Sequence, residues 1–264
     1  MAAIYWFARK ADDIADEGQD SAELRLDQLT RYRAALQACA AGQVGGMGWD
    51  EVFLPLADVL ARHRLPIAPF EDLLSAFEQD VRHTRDGTGY TDRVQLLDYC
   101  ARSANPVGRL LLHLYDRADA LAVAESDRVC TALQLINFWQ DLSVDLPRGR
   151  HYLPAQDLRA WGMDPATPAS WAAHPNATGL VRSLCDWSRA LMLEGSGIVH
   201  RVPGRAGWEL RAVVQGGLRV LDHIARQGYD SFRRRPRLGP ADAPVVLWRA
   251  LRMRPLTSME QSRA

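Results

Sequence analysis

The longest unbroken helical pattern in the chain, over 118–146, constrains the fold most, because it carries a line of polar side chains across a surface that is otherwise apolar. Its final turns read Asn137-Phe138-Trp139-Gln140-Asp141-Leu142-Ser143-Val144-Asp145 and stop at Pro147. At about 100° per residue, Gln134, Asn137, Asp141 and Asp145 fall within roughly 80° of one another, in a stripe that runs about 12 Å from Asn137 to Asp145. Leu133, Ile136, Phe138 and Trp139 flank the stripe. A helix that buries those neighbours takes the carboxylates with it, so the stripe needs a partner.

The start of the chain supplies a second acidic motif, Asp12-Asp13-Ile14-Ala15-Asp16-Glu17. In the same projection Tyr5, Ala8, Arg9, Asp12 and Asp16 share one face, with Asp13 on its edge and Glu17 further round. Two solvated acidic faces would be the plain reading. Against it, like charges at i,i+4 repel, and carboxylates beside Gly18 and Pro147 lie at helix C-termini, where the macrodipole disfavours them. That cost, incurred twice, points to an outside cation.

Composition bounds the rest. With 264 residues, 47% hydrophobic and 24% charged, the chain can bury a large core in one helical domain or two small ones. Its formal net charge of zero gives no footprint for nucleic acid. No apolar run reaches the roughly 18 residues of a membrane span, and the apolar opening precedes its positive charges, the wrong order for a signal peptide. A cytoplasmic protein is expected. Cys39, Cys100, Cys130 and Cys185 form no C-x-x-C pair and read as small buried residues. Lys10 is the only lysine among 32 basic residues.

In chain order, helices are expected over 2–17, from Ser21 to about Gly42, over 49–63, and from Pro69 through Val81. A loop follows over 85–90. The pattern over 91–115 is interrupted by Asn105-Pro106, which predicts a kink. After Pro147 comes a basic and aromatic loop, Arg148-Gly149-Arg150-His151-Tyr152-Leu153-Pro154, whose arginine donors suit a phosphate. Residues 161–178 read as irregular, and helices are expected over 180–199 and 208–227, with Gly216-Gly217 allowing close approach in the second. Arg233-Arg234-Arg235-Pro236-Arg237 reads as a basic linker before a short helix over 245–251. It is either solvated or a peripheral contact with anionic lipid headgroups. Without repeats or alternating strand patterns, the expected fold is all-α, a single-domain bundle of about eight long helices around a central cavity.

Magnesium takes oxygen ligands and binds through one or two carboxylates plus substrate phosphates, so two facing aspartate stripes suit a diphosphate held between several Mg²⁺ ions. No histidine accompanies either motif, which excludes histidine-rich zinc chemistry, and no P-loop or dinucleotide fingerprint occurs. A diphosphate so held is a good leaving group, and the carbocation left behind can be sheltered by an apolar, aromatic cavity.

Phe7-Ala8-Arg9-Lys10-Ala11-Asp12-Asp13-Ile14-Ala15-Asp16, with Asn137 to Asp145 and Gly149-Arg150-His151-Tyr152-Leu153-Pro154, resembles the squalene/phytoene synthase family over nearly the whole chain. The resemblance implies the isoprenoid-synthase fold and Mg²⁺-dependent chemistry on prenyl diphosphates. It makes Asp12, Asp13, Asp16, Asn137, Asp141 and Asp145 the metal-binding set, turns Arg9, Gln134, Arg150 and Tyr152 to the diphosphate, and places Tyr99 in the active-site cavity. Tyr99, Asp12, Asp16, Asp141 and Asp145 would carry catalysis. Tyr99-Cys100-Ala101-Arg102-Ser103-Ala104-Asn105-Pro106-Val107-Gly108-Arg109 is closest to the hydroxysqualene synthase branch of the bacterial squalene and hopanoid route. That branch implies presqualene diphosphate as substrate and neighbouring squalene-pathway enzymes as transient partners, in the cytoplasm or at the inner face of the membrane. Alternatives are a head-to-head condensing enzyme acting on farnesyl diphosphate, and a non-catalytic relative serving assembly or binding. Family members usually carry a further N-terminal helix. Here Met1 stands 11 residues before Asp12, so that helix is expected to be missing.

Overall fold

The computed structural model describes residues 1–43, 45–46 and 48–253, and among them every regular element is helical. In chain order these are α1 (Ala2–Asp16), α2 (Ala22–Ala40), α3 (Asp50–His63), α4 (Ala68–Asp86), α5 (Arg93–Ser103), α6 (Asn105–Leu114) and α7 (Ala120–Asp145). They continue with α8 (Ala155–Ala160), α9 (Pro168–Trp171), α10 (Ala177–Gly195), α11 (Ile198–Arg201), α12 (Gly204–Arg226) and α13 (Ala243–Arg252). Short 3₁₀ turns lie over Leu146–Arg148 and Pro240–Asp242. The described part of the chain is all-α, as the patterning predicts.

The described residues gather into two compact units, one within 1–88 and 101–116 and one within 89–100 and 117–253. In the first, α1 is set by Ile4, Phe7, Ala11, Ile14 and Ala15, which recur at helical spacing and are buried. Phe7 meets Phe70 edge-on at 5.1 Å and Tyr32 at 5.2 Å, and the Tyr32 hydroxyl donates to the Phe7 carbonyl at 3.2 Å. Fixing that face of α1 in the core turns Arg9, Asp12, Asp13 and Asp16 to the other. Ser21 caps α2 by accepting from the Leu24 amide, as its position predicts.

In the second unit α7 packs against α10, α11 and α12, and it is buried on most of its circumference. The indole of Trp139 donates to Ser188 Oγ at 2.8 Å inside the α7–α10 contact. Gly217 allows the close approach expected of it, since a Cβ there would lie 2.9 Å from Leu133 and Met192 side-chain atoms, whereas Gly216 has open space. Gly195 is tighter still, against the Glu125 carbonyl and the Val129 amide at 2.6 and 2.9 Å.

Two local expectations are corrected. Asn105-Pro106 does not kink a continuous rod. The helix ends at Ser103, and Pro106 sits at the start of a new one, where its missing N–H costs nothing. The span 161–178 contains the short helix α9, closed by a hydrogen bond of 2.8 Å from the Trp171 indole to the Asp164 carbonyl. In the stretch 233–237 the four arginines are exposed, Pro236 between them is buried, and the Gln140 side-chain amide donates to the Pro236 carbonyl at 2.7 Å. Of the C-terminal span 233–264, residues 254–264 lie outside the described residues.

Candidate active site

The first acidic motif is organised by one arginine. Arg9 Nη1 donates to Asp12 Oδ2 at 3.0 Å and its Nη2 donates to Glu17 Oε1 at 2.7 Å, while Asp13 Oδ1 lies 2.7 Å from the same Nη2. Asp13 foremost, then Asp12 and Glu17, hold the guanidinium's pKa above its ordinary value, against some loss from desolvation. A second arginine works from behind. Arg25, on α2, donates to the Ala15 carbonyl, to Gly18 O at 3.0 Å and to Asp20 O at 3.1 Å, placing a cation where the α1 carbonyls end. Charges within the unit thus offset much of the repulsion that the sequence assigns to an outside cation. One oxygen is left over: Asp13 Oδ1 is buried and, despite its nearness to Arg9, receives no aligned hydrogen bond.

The second motif lies on the last two turns of α7. Asp141 is buried, Gln134 and Asp145 are half-buried and Asn137 is exposed. Asp145 has a pKa raised to about 6, first by burial and then by the neighbouring Asp141 carboxylate, against the opposing pull of Arg150, Arg148 and Arg235. The Arg150 amide closes the turn onto the Asp145 carbonyl at 3.1 Å, so the basic loop folds back over the stripe.

Sequence reading missed the residue that holds Asp141. Arg235 forks onto it, Nε to Oδ1 at 2.6 Å and Nη2 to Oδ2 at 2.9 Å, a bidentate pair across 94 residues. Only the density of arginines around Pro236 hinted at it, and that hint does not say which carboxylate an arginine will meet.

Tyr99 and Tyr152 lie together in an aromatic wall of the second unit. Tyr152 stacks on Phe138 with ring centroids 3.7 Å apart and planes 7° from parallel, and Tyr99 lies 6.0 Å from Tyr152, 6.1 Å from Phe138 and 5.5 Å from Tyr90. Tyr90, absent from the sequence-level candidates, is placed by backbone pairing. Its carbonyl accepts from the Ala155 amide at 2.8 Å, and Thr91 O accepts from the Gln156 amide at 2.9 Å. His151 is packed edge-on against Trp171, its pKa lowered by burial.

Among the described residues, no three His, Cys, Asp or Glu side chains converge as a ready metal cluster. The donors of both motifs are carboxylate and amide oxygens with no thiol or imidazole, and magnesium needs only one or two carboxylates when phosphate supplies the rest. Asp13 Oδ1 is an acceptor that a cation would satisfy. The residues therefore fit the ion.

Against known proteins, the family model described as squalene/phytoene synthase matches residues 1–242. The hydroxysqualene synthase of Sinorhizobium fredii is 31% identical over 92% of this chain and 79% of its own length. The phytoene synthase of Thermus thermophilus is 32% identical over 93% of this chain and 81% of its length. The alignments with two mycobacterial phytoene synthases span only half the length of those relatives. A solved squalene synthase of Alicyclobacillus acidocaldarius superposes with a TM-score of 0.77 at 33% identity, covering 86% of this chain and 82% of that one. With the family model covering nearly all of its length and two acidic motifs embedded in a fold shared with these enzymes, the chain belongs to the squalene/phytoene synthase family.

Proposed function

We propose that the protein is an enzyme that ionises presqualene diphosphate and lets water capture the rearranged cation, giving hydroxysqualene and diphosphate. The observation that carries the reading is the junction at the end of α7. There Asp141, Asp145 and Arg150 lie in one stretch with Tyr152, and Tyr152 stacks on Phe138 beside Tyr99. An anionic leaving group and a cationic hydrocarbon need those two environments side by side.

Asp12, Asp13 and Asp16 of the first unit, with Asn137, Asp141 and Asp145 of the second, would hold magnesium. The ion, when bound, supplies positive charge that stabilises a departing diphosphate. Arg9, Gln134, Arg150 and Tyr152 would bind and orient the diphosphate oxygens. As the C–O bond breaks, its electron pair leaves with the diphosphate, and the cyclopropylcarbinyl cation faces the rings of Tyr99, Tyr152 and Phe138, whose faces are electron-rich. Water adds its oxygen to the rearranged cation and loses a proton. Tyr99 would orient that water, and no reductant is consumed.

The 31% identity to a hydroxysqualene synthase supports this branch. The comparable identity to a phytoene synthase supports a second reading, head-to-head condensation of two prenyl diphosphates. One incubation separates them. Purified protein with Mg²⁺ and presqualene diphosphate in ¹⁸O-labelled water should give hydroxysqualene carrying the label in its hydroxyl, with no NADPH present. Presqualene diphosphate accumulating from farnesyl diphosphate, or squalene formed only with NADPH, would overturn the assignment.

A further inference from the structure

The second unit holds a cleft lined by none of the residues assigned to the candidate active site. Its volume is about 210 Å³, and it lies between the α10–α11 turn and the middle of α12. Leu193, Val214, Leu218 and Met253 give it apolar walls. On α12 the lining positions centre on a direction roughly 100° from Gly217. Gly217 packs on Leu133 and Ile136, so the cleft opens on a different side of α12 from the α7 contact. One lining group is left unused by the fold. Gln215 is only 9% exposed, and its side-chain amide finds no hydrogen-bond partner among the described residues. A primary amide carries two donors and an acceptor, and one so deeply placed is a cost unless something in the cleft meets it.

We infer that the cleft binds a small uncharged amphiphile, a short aliphatic body ending in one hydroxyl, with that hydroxyl on the Gln215 amide. A hydroxyl donates and accepts at once, as the amide does. Volume sets the size. At roughly 30 Å³ for each water displaced, the cleft takes about seven non-hydrogen atoms, and it is smaller than the ~300–1,000 Å³ of sites for drug-sized ligands. Charge selects against an ion. Among the described residues that line the cleft there is no acid, lysine or arginine. Arg211 comes near through two of them, donating from Nη2 to His200 Nδ1 at 3.0 Å and from Nη1 to the Met253 carbonyl at 3.4 Å. Arginine only donates, so the His200 ring accepts at Nδ1 and is uncharged in that contact. The guanidinium itself lies 4.3 Å over the Trp208 ring, its Nε buried and without a partner among the described residues. A carboxylate entering the cleft would therefore exchange its water for neutral groups and apolar walls.

The test adds 1-hexanol to the full chain carrying ¹³C at its methionine methyls and follows them by NMR. The Met253 methyl, assigned by its loss in Met253→Leu, should shift and saturate, with half-saturation at or below about 1 mM, well inside the affinity that so few atoms can give. Hexanoate and hexylammonium should bind at least tenfold more weakly. Gln215→Leu should weaken the binding of hexanol at least tenfold and melt no lower than wild type, because it exchanges an unpaired buried amide for an apolar group of similar size. A Met253 methyl indifferent to hexanol, hexanoate bound as tightly as the alcohol, or hexanol affinity unchanged in Gln215→Leu would overturn the inference. So would a melting temperature several degrees lower in that variant, since it would show the amide engaged in holding the fold.

Discussion

At the scale of single residues, the proposed function requires the carboxylates of the two motifs for chemistry, and the pairs they make decide what their removal does to folding. The Asp141–Arg235 pair is short and bidentate, yet about a third of the arginine side chain meets solvent. Asp141 itself is buried, but an asparagine in its place still offers an oxygen to a guanidinium that can turn to water. Asp141→Asn and Asp12→Asn are therefore expected to keep wild-type helicity and to melt within a few degrees of wild type. Turnover should fall at least ~100-fold, about 2.7 kcal/mol of barrier. Steady-state rates beside thermal melts check both halves, and near-normal turnover in either variant, or full activity in excess chelator, would remove the metal assignment. The residues of this site were unequally legible. Asp141 and Asp145 announce themselves by an i,i+4 spacing on a helix that is otherwise apolar. Arg235 does not, because its contact depends on how a distant segment returns to α7, and no periodicity encodes that.

At the scale of elements, close helix packing makes its own demands. Gly195 lets α10 approach the α7 backbone so nearly that an added Cβ would lie 2.6 Å from the Glu125 carbonyl oxygen. Gly195→Ala should force the pair apart and cost ~1–3 kcal/mol, seen as a melting temperature lower by several degrees. Gly216→Ala is expected to act in the opposite direction. It meets nothing within 4 Å, and removing a mid-helix glycine is worth up to about 1 kcal/mol. Equal melting temperatures for the two variants would refute the packing account.

The end of α12 is tied to the turn before α13 by Asp242. Its carboxylate accepts from Arg219 Nε at 2.7 Å and the Gly239 amide at 2.8 Å, and lies 2.8 Å from His223 Nε2. Gly239, His223 and Arg219 hold it well below the usual carboxylate range. A carboxyl depressed in the folded state stabilises above its unfolded pKa, about 3.9, and loses that contribution as pH falls through the folded value. Thermal melts between pH 5 and pH 2 should therefore show a steep loss of stability on the acid side, shallower in Asp242→Asn. The break at Asn105 shows why such boundaries are hard to read from sequence. Proline is compatible both with a kinked helix and with the first turn of a new one, and the choice rests on packing that the local sequence does not contain.

At the scale of the whole molecule, the helical class, the buried faces of α1 and α7 and the identity of the acidic motifs were legible, because each depends on spacing within one element. The internal neutralisation of those acids was not. Charge runs at helix ends predict a missing cation, and here Arg9, Arg25 and Arg235 supply cations from within the chain. Arg235 has a consequence that extends beyond the site. A guanidinium that occupies a carboxylate competes for the same lone pairs with the ion proposed there, so under that proposal metal occupancy and the seating of the 233–237 segment share one equilibrium. Linkage makes the competition reciprocal: whatever factor the segment takes from metal affinity, bound metal takes from the segment's attachment. Trypsin can read that exchange without substrate or product. Cleavage after the exposed Arg233, Arg234 and Arg237 should quicken in saturating Mg²⁺ and slow in chelator. Asp141→Asn, which weakens both partners' hold on the position, should make the rate indifferent to the ion.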